Sequence, residues 1–157
     1  ERYVPNYIEN RLKFSPYIKD AAVVGAGMDE LTAMVCMDFE SVGHWAEVNG
    51  VPYVSYSDLS QRDEVAMLLH EAFERVNKVI PEPLHLKRFV SLPKEFDPDD
   101  GEITRTRKLR RKVVQERYAD VIAALYDGSK EIHFSAQVTY ETGETGGVDR
   151  TLPVREV

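Results

Sequence analysis

The sequence has one cysteine, four histidines and no long hydrophobic run, and each scarcity excludes a class of protein. Because Cys36 has no second cysteine to pair with, an internal disulfide is excluded and a reducing compartment is indicated. The histidines are scattered, and none lies at metal-ligand spacing from another histidine or from the cysteine, so we predict no metal site. No apolar run approaches the roughly 20 residues of a membrane-spanning helix.

Positive charge is also in deficit, since 20 Lys and Arg face 27 Asp and Glu, for a net charge of −7. This balance argues against nucleic acid as a general partner. The first twelve residues mix charges with aromatics and are not typical of a secretory signal peptide, so we expect a cytoplasmic protein. The chain starts at Glu1 rather than Met, which leads us to expect a fragment or a processed product.

Hydrophobic periodicity predicts two short helices and two longer ones. The sequence 6–14 predicts a helix capped by Asn6, and 41–50 predicts a short helix closed by Gly50. A longer helix is predicted from an N-cap at Ser60 to a stop at Pro81. The last helix is predicted to run from Lys108 to about Tyr126.

Strands are predicted between and after these helices. The compact apolar runs 21–25 and 31–39 predict two strands joined by a tight turn, with Cys36 as an inert core thiol. A third strand is predicted at 86–92. Strict alternation predicts a half-buried strand over 131–141, followed by a turn at 142–147 and a weaker strand at 148–156, in which Pro153 indicates an edge.

These elements together indicate an α+β fold, with a small mixed or antiparallel sheet flanked by about three helices. The C-terminal hairpin is predicted to be an appended unit. We therefore expect a main domain over residues 1–128 and a β-hairpin extension over 129–157 that packs on it.

The most unusual stretch is a cluster of positive charge in this acidic chain. Seven of the fourteen residues from Thr104 to Arg117 are basic, and they follow the loop "EFDPDDGE" (95–102), which has five carboxylates. A solvent-exposed face accounts for Arg110, Arg111 and Lys112 as well as any function does. A nucleic-acid patch is disfavoured because aromatics are missing and the nearby carboxylates would repel phosphates. A third interpretation is a flexible loop that presents one lysine to a phosphate-bearing reaction centre.

Four stretches of the chain resemble the small C-terminal domain of the adenylate-forming enzymes, in particular the long-chain fatty-acid–CoA ligase (acyl-CoA synthetase) branch. They are "YIENRLKFSPYIKDAAVVG" (7–25), "SYSDL" (55–59), "VNKVIPEPLHLKRFVSLPKEF" (76–96) and "GEITRTRKLRRKVVQERYADVIAALY" (101–126). The last is similar to the family block "GELTPTxKLKR", except that Arg105 and Arg107 stand where the family has a proline and an apolar or small residue.

The resemblance implies an AMP-binding, ATP-binding ligase of fatty acid and lipid metabolism. Such enzymes form an acyl-adenylate from a carboxylic acid and MgATP and then transfer the acyl group to the thiol of CoA. Lys108 aligns with the lysine that is catalytic for adenylation. The chain would then be a mobile lid, inactive alone, whose large N-terminal adenylation domain lies before Glu1 in the same polypeptide.

The resemblance also implies ligands and partners. ATP, Mg²⁺ and CoA would serve the full enzyme, with none held tightly by this piece, and fatty acid would be the substrate. Val24, Gly25 and a basic residue at Lys78 or Arg75 are candidates for CoA contacts, although a strand end and a solvated helix end account for them equally well. Peripheral membrane association of the full enzyme stays open.

Two alternatives remain at this point. The sequence "TGETGGV" (142–148) is superficially similar to the family's phosphate loop, but no lysine follows it, so we predict a hairpin turn there. The whole chain could instead be a free-standing binding module whose basic helix grips an anionic partner. A large upstream domain with a Thr/Ser/Gly-rich phosphate loop would decide for the ligase.

Overall fold

The computed structural model describes residues 4–139 and 145–157 and contains two sheets. The six strands are β1 Ile18–Val24, β2 Leu31–Met37, β3 Leu86–Ser91, β4 Glu131–Thr139, β5 Thr145–Pro153 and β6 Arg155–Glu156. The α-helices are α1 Pro5–Leu12, α2 Phe39–Val48, α3 Tyr56–Ser60, α4 Asp63–Asn77, α5 Arg111–Arg117 and α6 Ala119–Tyr126, with a short 3₁₀ helix at Glu82–Leu84.

The main sheet has the strand order β1-β2-β3-β6 and is mixed. The β1–β2 and β3–β6 pairs are antiparallel, whereas β2 and β3 are parallel. A short turn can join only antiparallel neighbours, so the parallel pair needs a long crossover, which contains α2, α3 and α4. The predicted α+β class and mixed sheet are confirmed, although the described residues form six helices where about three were expected.

Both faces of the sheet are covered, because alternate side chains of each strand point in opposite directions. Ala21 and Val23 of β1 face one cluster, with α1, α2 and α4, which we call cluster one. Ala22 and Val24 face the other, cluster two, which contains side chains of α5, α6 and the C-terminal hairpin. Cys36 is fully buried in cluster two as predicted, and burial raises the pKa of its thiol.

Two predicted helix starts are wrong. Helix α1 starts after Val4 with Pro5 at its first position, so Asn6 lies inside the helix and its side chain accepts a hydrogen bond from Arg111. Ser60 ends α3 instead of capping α4, which follows Arg62. A long-range contact engages the Asn6 side chain, whereas the Ser60 hydroxyl donates to the Ser57 carbonyl at 2.7 Å within α3, so neither side chain caps the helix predicted for it.

The last predicted helix starts later than expected and is interrupted. Residues 108–110 are not helical, α5 begins at Arg111, and the helix breaks at Tyr118 before α6 begins. Tyr118 has φ −105° and ψ 24°, outside the helical range, and its side chain is almost fully buried. The break therefore turns this ring into cluster two.

The C-terminal hairpin is confirmed as an antiparallel β4–β5 pair, in register from Glu131 with Pro153 to Thr139 with Thr145. Strand β5 starts at Thr145, so 145–147 are strand where a turn was predicted. The rest of that turn, at 142–144, and the predicted end of the first strand at 140–141 lie outside the described residues. Pro153 ends β5, and the chain then joins the main sheet as β6. The domain boundary at 128/129 stays a prediction.

Candidate functional site

Lys108 lies on a short hairpin loop that projects ahead of α5. Ile103 and Leu109 form an antiparallel bridge at the base of this loop. Inside it, the N–H of Thr104 donates to the Lys108 carbonyl at 2.8 Å, and the N–H of Lys108 donates to Oγ1 of Thr104 at 2.9 Å. The predicted position of Lys108 at the start of the helix is therefore wrong by three residues.

The Lys108 side chain is exposed, while the backbone that carries it is held by both of these hydrogen bonds. Within the described part of the chain, its ammonium makes no hydrogen bond or ion pair. A cation with a fixed backbone and an unengaged end group can reach an anion that arrives from outside the domain.

Arg107, next to Lys108, is bound to the body of the domain. Its guanidinium pairs with Asp20, a carboxylate of β1 that is only 4% exposed. Arg107 also has φ 64°, a left-handed conformation that is uncommon for a residue other than glycine. The ion pair therefore holds a tight turn against the sheet, with Lys108 as its next residue.

Arg111, three residues after Lys108, makes a forked pair with Glu9 of α1, with Nη1–Oε2 and Nη2–Oε1 distances of 2.8 Å. Oε2 of Glu9 also accepts from the Val23 N–H at 2.7 Å. A cation at the first turn of a helix is disfavoured by the helix dipole, and the Glu9 carboxylate offsets this cost. Two arginines thus anchor the loop on either side of Lys108.

The stretch before the loop is held by a buried polar network. The ammonium of Lys94 donates to Oε1 of Glu102 and to the hydroxyl of Tyr118, both at 2.8 Å. These three side chains are 5%, 1% and 2% exposed. Burial, and then the Glu102 carboxylate, raise the pKa of the Tyr118 hydroxyl, which keeps it a neutral hydrogen-bond partner.

The basic cluster therefore divides into paired and exposed residues. Arg107 and Arg111 are matched to buried carboxylates, and Arg117 lies 3.5 Å from Asp100. Arg105 and Lys112 are exposed. The pairing lowers the charge available to an external polyanion, which weakens the binding-module interpretation, and it leaves Arg105 and Lys108 as exposed cations on the loop between Ile103 and Leu109.

The candidate CoA residues at the end of β1 have structural roles. Val24 is buried in cluster two, and its carbonyl accepts a hydrogen bond from the Tyr126 hydroxyl at 3.0 Å. Gly25 has φ +153°, and a Cβ there would lie 2.3 Å from Cδ2 of Leu31. The backbone conformation and the close approach of Leu31 therefore explain why glycine stands at position 25 without any contact to CoA.

Lys78, the third CoA candidate, lies exposed just after α4, and Arg75 is near it along a groove that Phe14 and Val79 also line. Helix α4 packs in cluster one, whereas the Val24 side chain packs in cluster two. No hydrogen bond or ion pair among the described residues joins Lys78 to Val24, Gly25 or Lys108.

A match to a family model shows which family this chain belongs to. The model of the AMP-binding enzyme C-terminal domain matches residues 1–130. The chain belongs to this family. This AMP-binding C-terminal domain is similar to one part of several larger proteins.

Two curated relatives are fatty-acid ligases by name. The long-chain-fatty-acid–CoA ligase FadD15 of Mycobacterium tuberculosis is 31% identical over 124 residues, which is 78% of this chain and 21% of the relative. The ligase ACSBG1 of Mus musculus is 36% identical over 75 residues, 46% of this chain and 10% of the relative. The chain thus spans at most about a fifth of the length of these relatives.

Solved structures show the same fold. The A domain of carboxylic acid reductase from Segniliparus rugosus, in complex with AMP and a co-purified carboxylic acid, matches with a TM-score of 0.63 and 18% identity. The matched region covers 82% of this chain and 18% of the Segniliparus rugosus chain. The adenylation domain of a Mycobacterium chelonae carboxylate reductase matches with a TM-score of 0.60 and 21% identity, over 77% of this chain and 17% of that one.

Sequence reasoning missed the residues that hold the loop of this AMP-binding C-terminal domain. The sequence contained a signal for Asp20, because a carboxylate inside an apolar strand needs a charged or polar partner when it is buried. Glu9 fitted a helix cap equally well, and Lys94 and Glu102 fitted a solvated loop. Their partners lie on other elements, so sequence spacing alone does not reveal them.

Among the described residues, no helix is both long and apolar enough to span a bilayer. The same part of the chain has no group of three or more His, Cys, Asp or Glu side chains that could hold a metal ion.

Proposed function

We propose that this chain is the mobile lid of an ATP-dependent long-chain fatty-acid–CoA ligase and that Lys108 supplies the ammonium for acyl-adenylate formation. The observation that carries the proposal is an exposed, unengaged lysine, held on an anchored loop, within the block that resembles the family's catalytic block. The ligase names of the relatives support the substrate class.

The proposed reaction joins a fatty-acid carboxylate to the α-phosphorus of ATP, and the bond from that phosphorus to the pyrophosphate oxygen breaks. Two anions must approach each other, so a cation between them lowers the barrier. The Lys108 ammonium would lie against the carboxylate and the α-phosphate as negative charge builds up. Mg²⁺ would arrive with ATP, since the described residues contain no cluster of metal-ligating side chains.

The second half-reaction transfers the acyl group from AMP to the thiol of CoA. We propose that the lid rotates between the two steps, so that Lys108 withdraws and another face covers the site. Val24, Gly25 and Lys78 remain the candidates for contact with CoA on that face. The partner in both steps would be a large N-terminal domain of the same cytoplasmic polypeptide, and this chain alone would have no turnover.

Substitution of Lys108 tests the proposal. In the full-length protein, Lys108→Ala should lower acyl-adenylate formation by roughly 10²–10³-fold, the loss typical of one electrostatic donor. Pyrophosphate exchange measures this step, and release of AMP from pre-made acyl-adenylate with CoA measures the other. Thioester formation should be largely spared.

Lys112→Ala is the matched control, because Lys112 is also an exposed cation, four residues away on α5. It should change neither half-reaction by more than about twofold. Equal losses in both half-reactions of Lys108→Ala would count against an adenylation role.

A further inference from the structure

The described residues of the C-terminal extension that follow the family match, 131–139 and 145–157, pack against the rest of the domain. Strand β4 contacts α6, and β6 adds an antiparallel edge to β3. Its Phe134 ring stacks on the ring of Tyr118, with a centroid separation of 5.8 Å and an interplanar angle of 7°. The extension thus touches the residue at which the helix after the lysine loop is broken.

Tyr118 connects this aromatic contact to a buried charge. Its hydroxyl accepts from the Lys94 ammonium at 2.8 Å, and the same ammonium donates to Glu102 at 2.8 Å. In a site with so little water, the ion pair has one favourable geometry, and loss of one partner leaves an uncompensated charge. A fixed Tyr118 ring therefore helps to fix where Glu102 lies.

Glu102 in turn holds both ends of the loop that carries Lys108. Its carboxylate accepts from the Asp97 N–H at 2.8 Å, and its carbonyl accepts from the Arg110 N–H at 2.9 Å. The next residue, Ile103, forms the bridge with Leu109 at the base of the loop. Residues 97–110 contain no other regular structure, so these bonds hold the base of the loop, while the Arg107–Asp20 pair holds its tip.

We propose that the C-terminal extension positions the Lys108 loop through a chain of contacts from Phe134 to Tyr118, Lys94 and Glu102. Phe134 acts through its ring contact with Tyr118 and not on a reacting group, so it is a positioning residue. Its kinetic consequence rests on the proposed role of Lys108, because a displacement of about 1 Å at a reacting group can cost about 10²-fold in rate.

The first test removes the ring. In the full-length protein, Phe134→Ala should speed amide hydrogen exchange of residues 97–110 by about three- to tenfold, the range expected for loss of an aromatic pair. The kcat for adenylation should fall by about tenfold with little change in KM for ATP, because the proposed Lys108 contact strengthens as charge builds up in the transition state. Phe134→Tyr keeps a ring and should restore both.

The control lies on the same strand. Gln137 is exposed on the opposite face of β4, so Gln137→Ala should leave exchange of 97–110 and adenylation unchanged. If this variant loosened the loop as Phe134→Ala does, general damage to the hairpin would explain the effect and the proposal would be wrong.

A second variant separates positioning from loss of the hairpin. Tyr118→Phe keeps the stacked ring but removes the acceptor for Lys94, so exchange should rise in 97–110 and stay slow in β4 and β5. Slow exchange throughout 97–110 in both Phe134→Ala and Tyr118→Phe would overturn the proposal. That readout does not depend on Lys108, so a normal adenylation rate in Lys108→Ala would reject the proposed function without changing the result for the loop.

Discussion

Asp20 and Arg107 show how single residues hold the Lys108 loop. Asp20 is a strand carboxylate in a mostly apolar environment, and burial raises its pKa although Arg107 acts in the opposite direction. Arg107 also has a left-handed backbone conformation, which costs about 1–2 kcal/mol in a residue with a Cβ. The ion pair and the hydrogen bonds of the turn offset this cost, and they fix the residue before Lys108.

The raised pKa of Asp20 predicts a pH dependence of stability. Between the ordinary value of 3.8 and the higher folded value, the folded state binds more protons than the unfolded state. The contribution of Asp20 to the free energy of unfolding therefore falls as the pH rises through this window. Asp20→Asn should remove that part of the slope in urea unfolding measured from about pH 4 to about pH 7.

Asp29→Asn serves as the control, because this carboxylate is exposed in the turn between β1 and β2. A slope that is the same in Asp20→Asn and the unsubstituted chain would show that Asp20 ionises in the folded state as it does when unfolded.

The turn between β1 and β2 depends on glycine for two different reasons. Gly25 and Gly27 both have positive φ, at +153° and +77°. A Cβ on Gly25 would lie 2.3 Å from Cδ2 of Leu31 and 3.0 Å from the carbonyl oxygen of Glu30, whereas a Cβ on Gly27 would have no atom within 4 Å. Only Gly25 therefore combines backbone strain with a steric conflict.

These two positions give a matched pair of variants. Gly27→Ala should cost about 1 kcal/mol from backbone strain alone. Gly25→Ala should cost about 1–3 kcal/mol more, because Leu31 is buried at the start of β2 and has little room to move. Chemical denaturation measures both, and equal losses would mean that the turn relaxes around the added methyl group.

At the scale of the whole molecule, the two hydrophobic clusters share the strands of one sheet. Phe73 of α4 stacks on Phe89 of β3 in cluster one, with ring centroids 4.4 Å apart. Val90, the next residue of β3, is buried in cluster two, and so is Leu92 just beyond the strand. A strand that loses its packing on one face loses its position on the other, so the clusters should unfold together.

This coupling predicts one transition for residues 1–157. Phe73→Ala and Leu92→Ala should lower the free energy of unfolding by about 3–5 and 2–5 kcal/mol, respectively. Each should shift Trp45 fluorescence, which reports on cluster one, and amide exchange in α6, which reports on cluster two, by the same amount. Separate midpoints for the two probes would show independent units.

The sequence by itself determined the first three strands, the longest helix and the hairpin, and it identified Lys108 as the candidate catalytic residue. Apolar runs and strict alternation are local patterns, so they identify β1, β2 and β4 without knowledge of the fold. The resemblance of 101–126 to the ligase block likewise depends on residues that are adjacent in the chain.

Only the tertiary structure decided where the helices begin and which charges are paired. Asn6 and Ser60 carry good capping side chains, but long-range contacts engage the first, and α3 ends at the second. The pairs of Arg107 with Asp20 and Arg111 with Glu9 join residues 87 and 102 positions apart. A buried charge takes whichever partner the fold brings within reach, because desolvation makes an unpaired charge costly, and spacing along the chain does not determine that partner.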